Sequence, residues 1–218
     1  MMACSGNTDE LNPPISPKTP DATKLPNVLL IVADDCSYHD ISCYGAVNNQ
    51  TPNIDKLAKE GLKFNNAFNS ATMSVPTRHS LYTGMYPIKH GGYPNHSRVK
   101  PNTKSAPHYL AEFGYRVGLT GKYHVNPATC FPFEDVPGFQ KNCTSKEVSY
   151  TLDGVKEFVS RDDSQPFFLV VGSVNPHAPW TAGDPSVYNP NKMKLPPHWA
   201  DTKETREMYT KYLAEVSV

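Results

Sequence analysis

Two short aliphatic runs constrain the fold of this chain more than any other feature. Residues 27–33, "NVLLIVA", and residues 166–174, "PFFLVVGSV", are dominated by β-branched and other apolar side chains. Both runs are too short for a typical helix, and neither alternates apolar with polar residues. Each is therefore predicted to be a strand buried on both faces, as in a parallel sheet covered by helices.

Segments of helical character lie between and after these runs. Residues 51–61, "TPNIDKLAKEG", offer Thr51 as a cap, Pro52 in the first turn and Gly61 as a stop. Further helices are predicted for Pro76 to Thr83, with Ser74 near the amino end, and for residues 105–114, 149–162 and 202–218. Additional strands are predicted for residues 62–68, "LKFNNAF", and 115–122, "YRVGLTGK". This alternation predicts an α/β fold, with a mostly parallel central sheet flanked by helices.

Charged and imidazole side chains come directly after three of the predicted strands. They are Asp34 and Asp35 after the first strand, Lys122 and His124 at the end of "YRVGLTGK", and His177 after the last strand. Ligands of open α/β sheets bind beyond the carboxyl ends of the strands. We therefore expect these residues to converge on one pocket.

Each of these groups has a functional interpretation and an ordinary structural one. Asp34 and Asp35 are hard oxygen ligands suited to Ca²⁺ or Mg²⁺, but aspartates that leave a strand also form turns and caps. Lys122 and His124 could hold an anion and move a proton, or be a surface lysine and a hydrogen-bonded core histidine. Ser74 is a weak nucleophile unless a base, a metal or chemical conversion activates it, and it is equally suited to cap a helix.

Composition narrows the classes of partner and location. Lysine plus arginine and aspartate plus glutamate number 21 each, so charge gives no reason to expect nucleic acid as a partner. No apolar run approaches the roughly 20 residues of a transmembrane helix. Residues 1–25 form a polar leader, expected to be disordered or a tether. Cys4 resembles the lipid-bearing cysteine of a bacterial lipoprotein, which predicts an exported periplasmic or cell-surface protein; an ordinary free cysteine is the alternative.

Five segments taken in order resemble the type I sulfatases of the alkaline phosphatase superfamily, from Pro26 to Val218. They are "PNVLLIVADD", "CYG" followed by "TPNIDKLAKEG", "SVPTRHSLYTG", "GKYHV" and "PHAPW". The serine or cysteine in S/C-x-P-x-R, followed by L-x-T-G, is the most specific of these features. The resemblance implies the sulfatase fold and sulfuric ester hydrolysis.

The resemblance also implies a nucleophile and a metal ion. Ser74 would be oxidised to formylglycine by a serine-type radical sulfatase-maturating enzyme, and the hydrated aldehyde would attack sulfur. Asp34 and Asp35, with an oxygen of residue 74, would bind Ca²⁺ rather than Mg²⁺. These roles are carried over from the family and do not follow from the spacing of the residues.

Four further side chains receive roles from the same resemblance. Arg78 would steady the hydrated aldehyde and Lys122 would hold a sulfate oxygen. His124 would take the proton that releases sulfate, and His177 would protonate the leaving group. His79, inside the motif, receives no role from the family.

The remaining calcium ligands of the family, an aspartate and an asparagine, and its second lysine find no match in this chain. Residues 26–218 are therefore expected to be the amino-terminal part of a longer catalytic domain, with a fold that is incomplete at the carboxyl end. "GKYHV" followed by "NPATCFPF" is similar to the N-sulfoglucosamine sulfohydrolases, so the expected substrate is a sulfated carbohydrate with an N-sulfate. A phosphatase or phosphonate hydrolase of the superfamily, and a non-catalytic domain that binds sulfated glycan, remain as alternatives.

Overall fold

A computed structural model describes residues 25–144 and 150–218 of the chain. Apart from Leu25, the predicted leader, with Cys4, lies outside the described residues. Within them, no helix combines the length and the apolar character that a membrane span requires.

The centre of the fold is a four-stranded sheet with the order β1–β4–β2–β3. The strands are β1 (Val28–Val32), β2 (Arg116–Gly121), β3 (Glu134–Asp135) and β4 (Phe167–Gly172). All three pairings are parallel, so the predicted α/β fold with a mostly parallel sheet is confirmed. β3 was not predicted, since two polar residues carry no strand pattern.

Helices form in each segment where the sequence predicted one. In the described residues they are α1 (Pro52–Glu60), α2 (Ser74–Thr83), α3 (Pro87–His90), α4 (Ala106–Glu112), α5 (Asp153–Ser160) and α6 (Lys203–Val216). The single turn α3 was not predicted. Thr51 holds the N-cap position of α1 and Gly61 its C-cap position, although the Thr51 side chain makes no capping hydrogen bond.

The core lies on both faces of the two central strands. On one face, Leu119 of β2 and Val170 of β4 are completely buried in a cluster with Tyr82 of α2. On the other face, Leu169 of β4 packs with Phe158 of α5. The sheet is thus sandwiched between α2 and α5, which fixes the direction in which each helix presents its polar residues.

The prediction that β1 is buried on both faces is wrong for the described residues. Leu29 and Ile31, which share one face of the strand, are 55% and 65% exposed. The reason is position in the sheet: among the described strands, β1 lies at the edge and pairs with β4 alone. An aliphatic run indicates a strand, but it does not indicate which elements will cover it.

The strand predicted for residues 62–68 is also absent from the structure. This segment is irregular, and Leu62 and Phe68 are about nine-tenths exposed. Alternating side chains make a strand only where another strand accepts the backbone hydrogen bonds. None of the described strands pairs with this segment.

Candidate active site

The loops beyond the carboxyl ends of β1, β2 and β4 meet at one edge of the sheet. The backbone N–H of Asp34, two residues past β1, donates to the carbonyl of Asn175 at 3.0 Å. The N–H of Lys122, directly after β2, donates to the carbonyl of Gly172 at 2.8 Å. These backbone bonds tie the three strand ends together and so fix where the polar side chains point.

Asp34 is the centre of the site. Its carboxylate is buried, and its Oδ1 accepts from Ser74 Oγ at 3.2 Å and from Arg78 Nη2 at 3.3 Å. Its Oδ2 forms a salt bridge with Lys122 Nζ. Arg78 and Lys122 are buried as well, at 3% and 2% exposure. Two buried cations share one buried carboxylate, which leaves a surplus of positive charge beside the Ser74 hydroxyl and favours an anionic ligand there.

Ser74 is the first residue of α2 and not its cap. Met73 holds the N-cap position, so the capping interpretation of Ser74 is wrong. Besides donating to Asp34, the Ser74 hydroxyl lies 3.4 Å from Lys122 Nζ. Pro76 is tolerated two residues later, because first-turn N–H groups have no partner inside the helix.

Arg78 lies one turn after Ser74, on the same face of α2. Its Nη1 donates to the carbonyl of Lys122 at 3.1 Å. The i, i+4 spacing of the motif therefore places the hydroxyl and the guanidinium over the same carboxylate.

His177, after β4, faces the second aspartate of the "ADD" segment. Its Nε2 is 3.6 Å from Asp35 Oδ2. Its Nδ1 is 2.5 Å from the carbonyl of Ala178, and because a carbonyl only accepts, Nδ1 carries the proton. Asp35 has φ +60° and an exposed side chain, so the two adjacent aspartates point to different parts of the site.

His124 is half-buried at another side of the site. Its Nε2 lies 3.2 Å from Nδ1 of His96, and its own Nδ1 is buried without a hydrogen-bond partner among the described residues. Burial and the nearby charge of Lys122 lower the pKa of His124 to about 4. The ring is therefore neutral near pH 7 and able to accept a proton.

Sequence reasoning missed three residues of this region. Cys143 places its Sγ 3.4 Å from Lys122 Nζ and, with Asp34 and His177, forms a group whose ligand atoms all lie within 4.8 Å of one another. The Asn95 side chain accepts from the N–H of Val75 at 3.3 Å, and His96 contacts His124. No spacing rule marks these residues, because their partners come from distant parts of the chain. The tripeptide "PNH" before Ser97, polar and close to the motif, is the only local hint.

The donor atoms fit a hard divalent cation. Carboxylate and hydroxyl oxygens are the ligands that Ca²⁺ takes, and Asp34 and Ser74 already bring two such oxygens within 3.2 Å. Asp35 follows Asp34 directly and offers an exposed carboxylate. The predicted metal ligands thus lie at one edge of the sheet, although Asp34 is also bound to Lys122 and Arg78.

His79, the histidine inside the motif, belongs to the core. It is completely buried, its Nε2 accepts from the N–H of Asn126 at 3.0 Å, and its ring stacks on Phe131. Burial, with the nearby His90 and His124, lowers its pKa to about 4. It connects α2 to the loop after β2 and does not face Asp34.

Comparisons with family models and with curated proteins point to the same family. The family model described as Sulfatase matches residues 26–217. An ulvan-active sulfatase of Formosa agariphila is 32% identical over 184 residues, which is 81% of this chain and 36% of the relative. Human N-sulphoglucosamine sulphohydrolase is 36% identical over 163 residues, which is 69% of this chain and 32% of the relative.

A solved structure extends the comparison to the fold. The structure of Ps i-CgsB in complex with k-i-k-neocarrahexaose superposes with a TM-score of 0.66 at 26% identity, covering 88% of this chain and 52% of that one. The present chain spans about a third of the length of the two curated relatives.

Proposed function

The chain belongs to the sulfatase family of the alkaline phosphatase superfamily, and on this premise we propose that its protein hydrolyses sulfate groups of sulfated carbohydrates. The observation that carries the proposal is the buried cluster of Asp34, Arg78 and Lys122 around the Ser74 hydroxyl. Similarity to human N-sulphoglucosamine sulphohydrolase over 69% of the chain makes N-sulfated glucosamine the first substrate to test.

Sulfatases generally use a metal ion and a formylglycine residue. We propose that Ser74 is the residue converted, by a serine-type radical sulfatase-maturating enzyme. Asp34, Asp35 and an oxygen of residue 74 would hold the metal, for which Ca²⁺ suits the oxygen donors better than Mg²⁺. A bound cation there would polarise a sulfate oxygen.

We assign anion binding and proton transfer to the protein's own side chains. Lys122 and Arg78 hold the anionic group by charge, and their fixed position costs no reorganisation during the reaction. His124, neutral near pH 7, takes a proton at a ring nitrogen. With Nδ1 held protonated by the Ala178 carbonyl, His177 protonates the leaving oxygen or nitrogen from Nε2, the ring atom that faces Asp35, when that nitrogen carries a second proton.

The test compares the full-length protein with its Ser74→Ala variant, after co-expression with the maturating enzyme. Turnover is measured on glucosamine N-sulfate, glucosamine O-sulfates, an aryl sulfate and an aryl phosphate, and a peptide map gives the mass of residue 74. We expect residue 74 to be lighter than serine by two hydrogens, and sulfate release to be lost in the variant while its circular dichroism spectrum is unchanged.

Each alternative predicts a different result. Faster turnover of the phosphate would identify a phosphatase or phosphonate hydrolase. Cleavage of O-sulfates alone would reject the N-sulfate assignment. Binding of sulfated glycan without turnover, despite verified formylglycine, would leave a non-catalytic binding domain.

The cellular location remains a prediction, and it rests on the polar leader, residues 1–25. We propose that Cys4 is lipidated and that the protein is exported to the periplasm or cell surface of a bacterium. Labelling with a radioactive fatty acid, lost in Cys4→Ser, tests this directly.

A further inference from the structure

Two histidines from separate loops contact each other beside the candidate site. His124 follows β2 and His96 lies in the loop after α3, and their facing nitrogens, Nε2 and Nδ1, are 3.2 Å apart. Both residues have left-handed backbone conformations, with φ +48° and +61°, which are uncommon outside glycine. The fold therefore holds both backbones in unfavourable conformations where the two rings meet.

The loop that carries His96 is fastened to the start of the motif helix. The neighbouring Asn95 accepts, through its side-chain oxygen, a hydrogen bond from the N–H of Val75 at 3.3 Å. Val75 directly follows Ser74, so one loop contacts both the helix that carries the candidate nucleophile and the candidate base. A shift of this loop would disturb both at once.

The pairing has a consequence for proton transfer. If His124 donates from Nε2 to His96, its buried Nδ1 presents a lone pair with no other partner among the described residues. A proton that binds at Nδ1 allows the Nε2 proton to pass to His96 Nδ1. His96, which is exposed, then releases its own Nε2 proton to water. One proton enters and one leaves, so both rings end in the opposite tautomer. The starting tautomers return when His124 gives its Nδ1 proton back to the reacting group at a later step and a proton from water enters at His96 Nε2.

The charges around His124 favour such an exit. Lys122 and Arg78 carry positive charges that oppose a positive ring, His79 and His96 oppose it when they are protonated themselves, and the carboxylate of Asp34 favours it. Burial adds to the opposition, since it disfavours the charged form. A protonated His124 is therefore short-lived unless its charge moves on to solvent.

We propose that His96 is a positioning residue that fixes the tautomer of His124 and conducts its proton to solvent. The proposal rests on the proposed function for its place in catalysis, because the proton comes from the group that His124 serves. The relay between the two rings does not depend on which substrate is hydrolysed.

Kinetics of the full-length, matured protein provide the first test, with His96→Ala, His96→Asn and the control His198→Asn, an exposed histidine of another loop. We expect His96→Ala to lower kcat at least tenfold with KM within twofold, to flatten the acidic limb of the pH profile, and to regain activity in added imidazole. His96→Asn keeps a hydrogen-bonding group without a titrating ring, so its kcat should stay low. A kcat within twofold of wild type in His96→Ala, or a loss that imidazole does not reverse, would overturn the proposal.

A second measurement separates this proposal from the proposed function. In the full-length Ser74→Ala protein, ¹⁵N NMR of the imidazoles reports the His124 tautomer and the exchange of its ring proton with water, without any turnover. We expect a single tautomer, and slower exchange after His96→Asn than after His198→Asn. Unchanged exchange would reject the relay even in an active sulfatase, whereas slowed exchange in a protein without sulfatase activity would reject only the proposed function.

Discussion

Cys143 lies beside Lys122, so we expect modification of its thiol to block the site. Its Sγ lies 3.4 Å from Lys122 Nζ and it is only half-buried, so a reagent can reach it. We expect iodoacetamide to inactivate the protein, because an added carboxamidomethyl group would occupy the space beside Lys122. Cys143→Ala should resist inactivation, and inorganic sulfate should protect the wild type.

Cys36, another half-buried cysteine, provides the control for this prediction. Burial raises the pKa of Cys36 to about 11, so its reactive thiolate is scarce near pH 8. Peptide mapping should therefore find Cys143 modified before Cys36. Inactivation that proceeds equally fast in Cys143→Ala would contradict the assignment.

His79 predicts a specific pH dependence of stability. The unfolded ring binds a proton with a pKa of 6.5, whereas the folded ring, held neutral by burial, binds one only near 4. Between these values the unfolded state binds more protons, so the free energy of unfolding falls as pH falls from 6.5 to 4, by roughly 3 kcal/mol in full. His79→Gln keeps an acceptor for the N–H of Asn126 but does not titrate.

Urea denaturation at pH 7 and pH 5 measures this effect. The loss of stability between the two pH values should be smaller in His79→Gln than in wild type, and unchanged in the exposed control His198→Gln. Equal losses in all three proteins would show that His79 is not the source.

For individual residues, the sequence predicted most members of the candidate site, but not all of them. Asp34, Lys122 and His177 were predicted to meet because parallel strands end at one edge of a sheet, and Ser74 and Arg78 join them through helical spacing. Which way Asp35 points, and that Cys143 and His96 approach, depends on loop conformations. Those conformations are set by backbone bonds between distant segments, which no local pattern records.

Among the elements, the contact between β2 and β4 depends on two opposed glycines. Gly121 has φ +84°, and a Cβ placed on it would lie 2.2 Å from the carbonyl oxygen of Gly172, its partner in the sheet. Gly121→Ala should therefore force the strand ends apart and displace Lys122. We expect a loss of roughly 3 kcal/mol in the free energy of unfolding, combining backbone strain with overpacking.

Gly45 is a matched control for this substitution. It has a similar φ, +93°, but a Cβ there would meet nothing within 4 Å. Gly45→Ala should cost only the backbone strain, roughly 1 kcal/mol. Equal losses in the two variants, measured by urea denaturation, would show that the close approach to Gly172 does not matter.

The elements themselves were mostly predictable, for reasons that also explain the errors. Runs such as "PFFLVVGSV" became strands and periodic segments such as α5 became helices, since both signals are local. The exposure of β1 and the irregular course of residues 62–68 depend on which elements pair and cover them. Pairing and coverage are properties of the whole sheet, so the sequence of one segment does not reveal them.

At the scale of the whole molecule, the exposed apolar face of β1 is the feature that we expect to determine self-association in solution. Leu29 and Ile31 lie side by side on this face, and the chain carries no net charge that would keep copies apart. We expect the 218-residue chain, expressed by itself, to bind the dye ANS and to self-associate in analytical ultracentrifugation at neutral pH. The double variant Leu29→Lys/Ile31→Lys should reduce both, because it removes the apolar face.

The added charge alone could also keep copies apart, so a second double variant separates the two causes. Ile88→Lys/Val187→Lys adds the same charge at exposed positions outside β1. If association is driven by the apolar face of β1, this variant should retain most of the ANS binding and a larger fraction of associated species than Leu29→Lys/Ile31→Lys. Equal suppression by both variants would assign the association to net charge. A wild-type chain that is monomeric and binds no ANS would mean that the face of β1 is covered in solution.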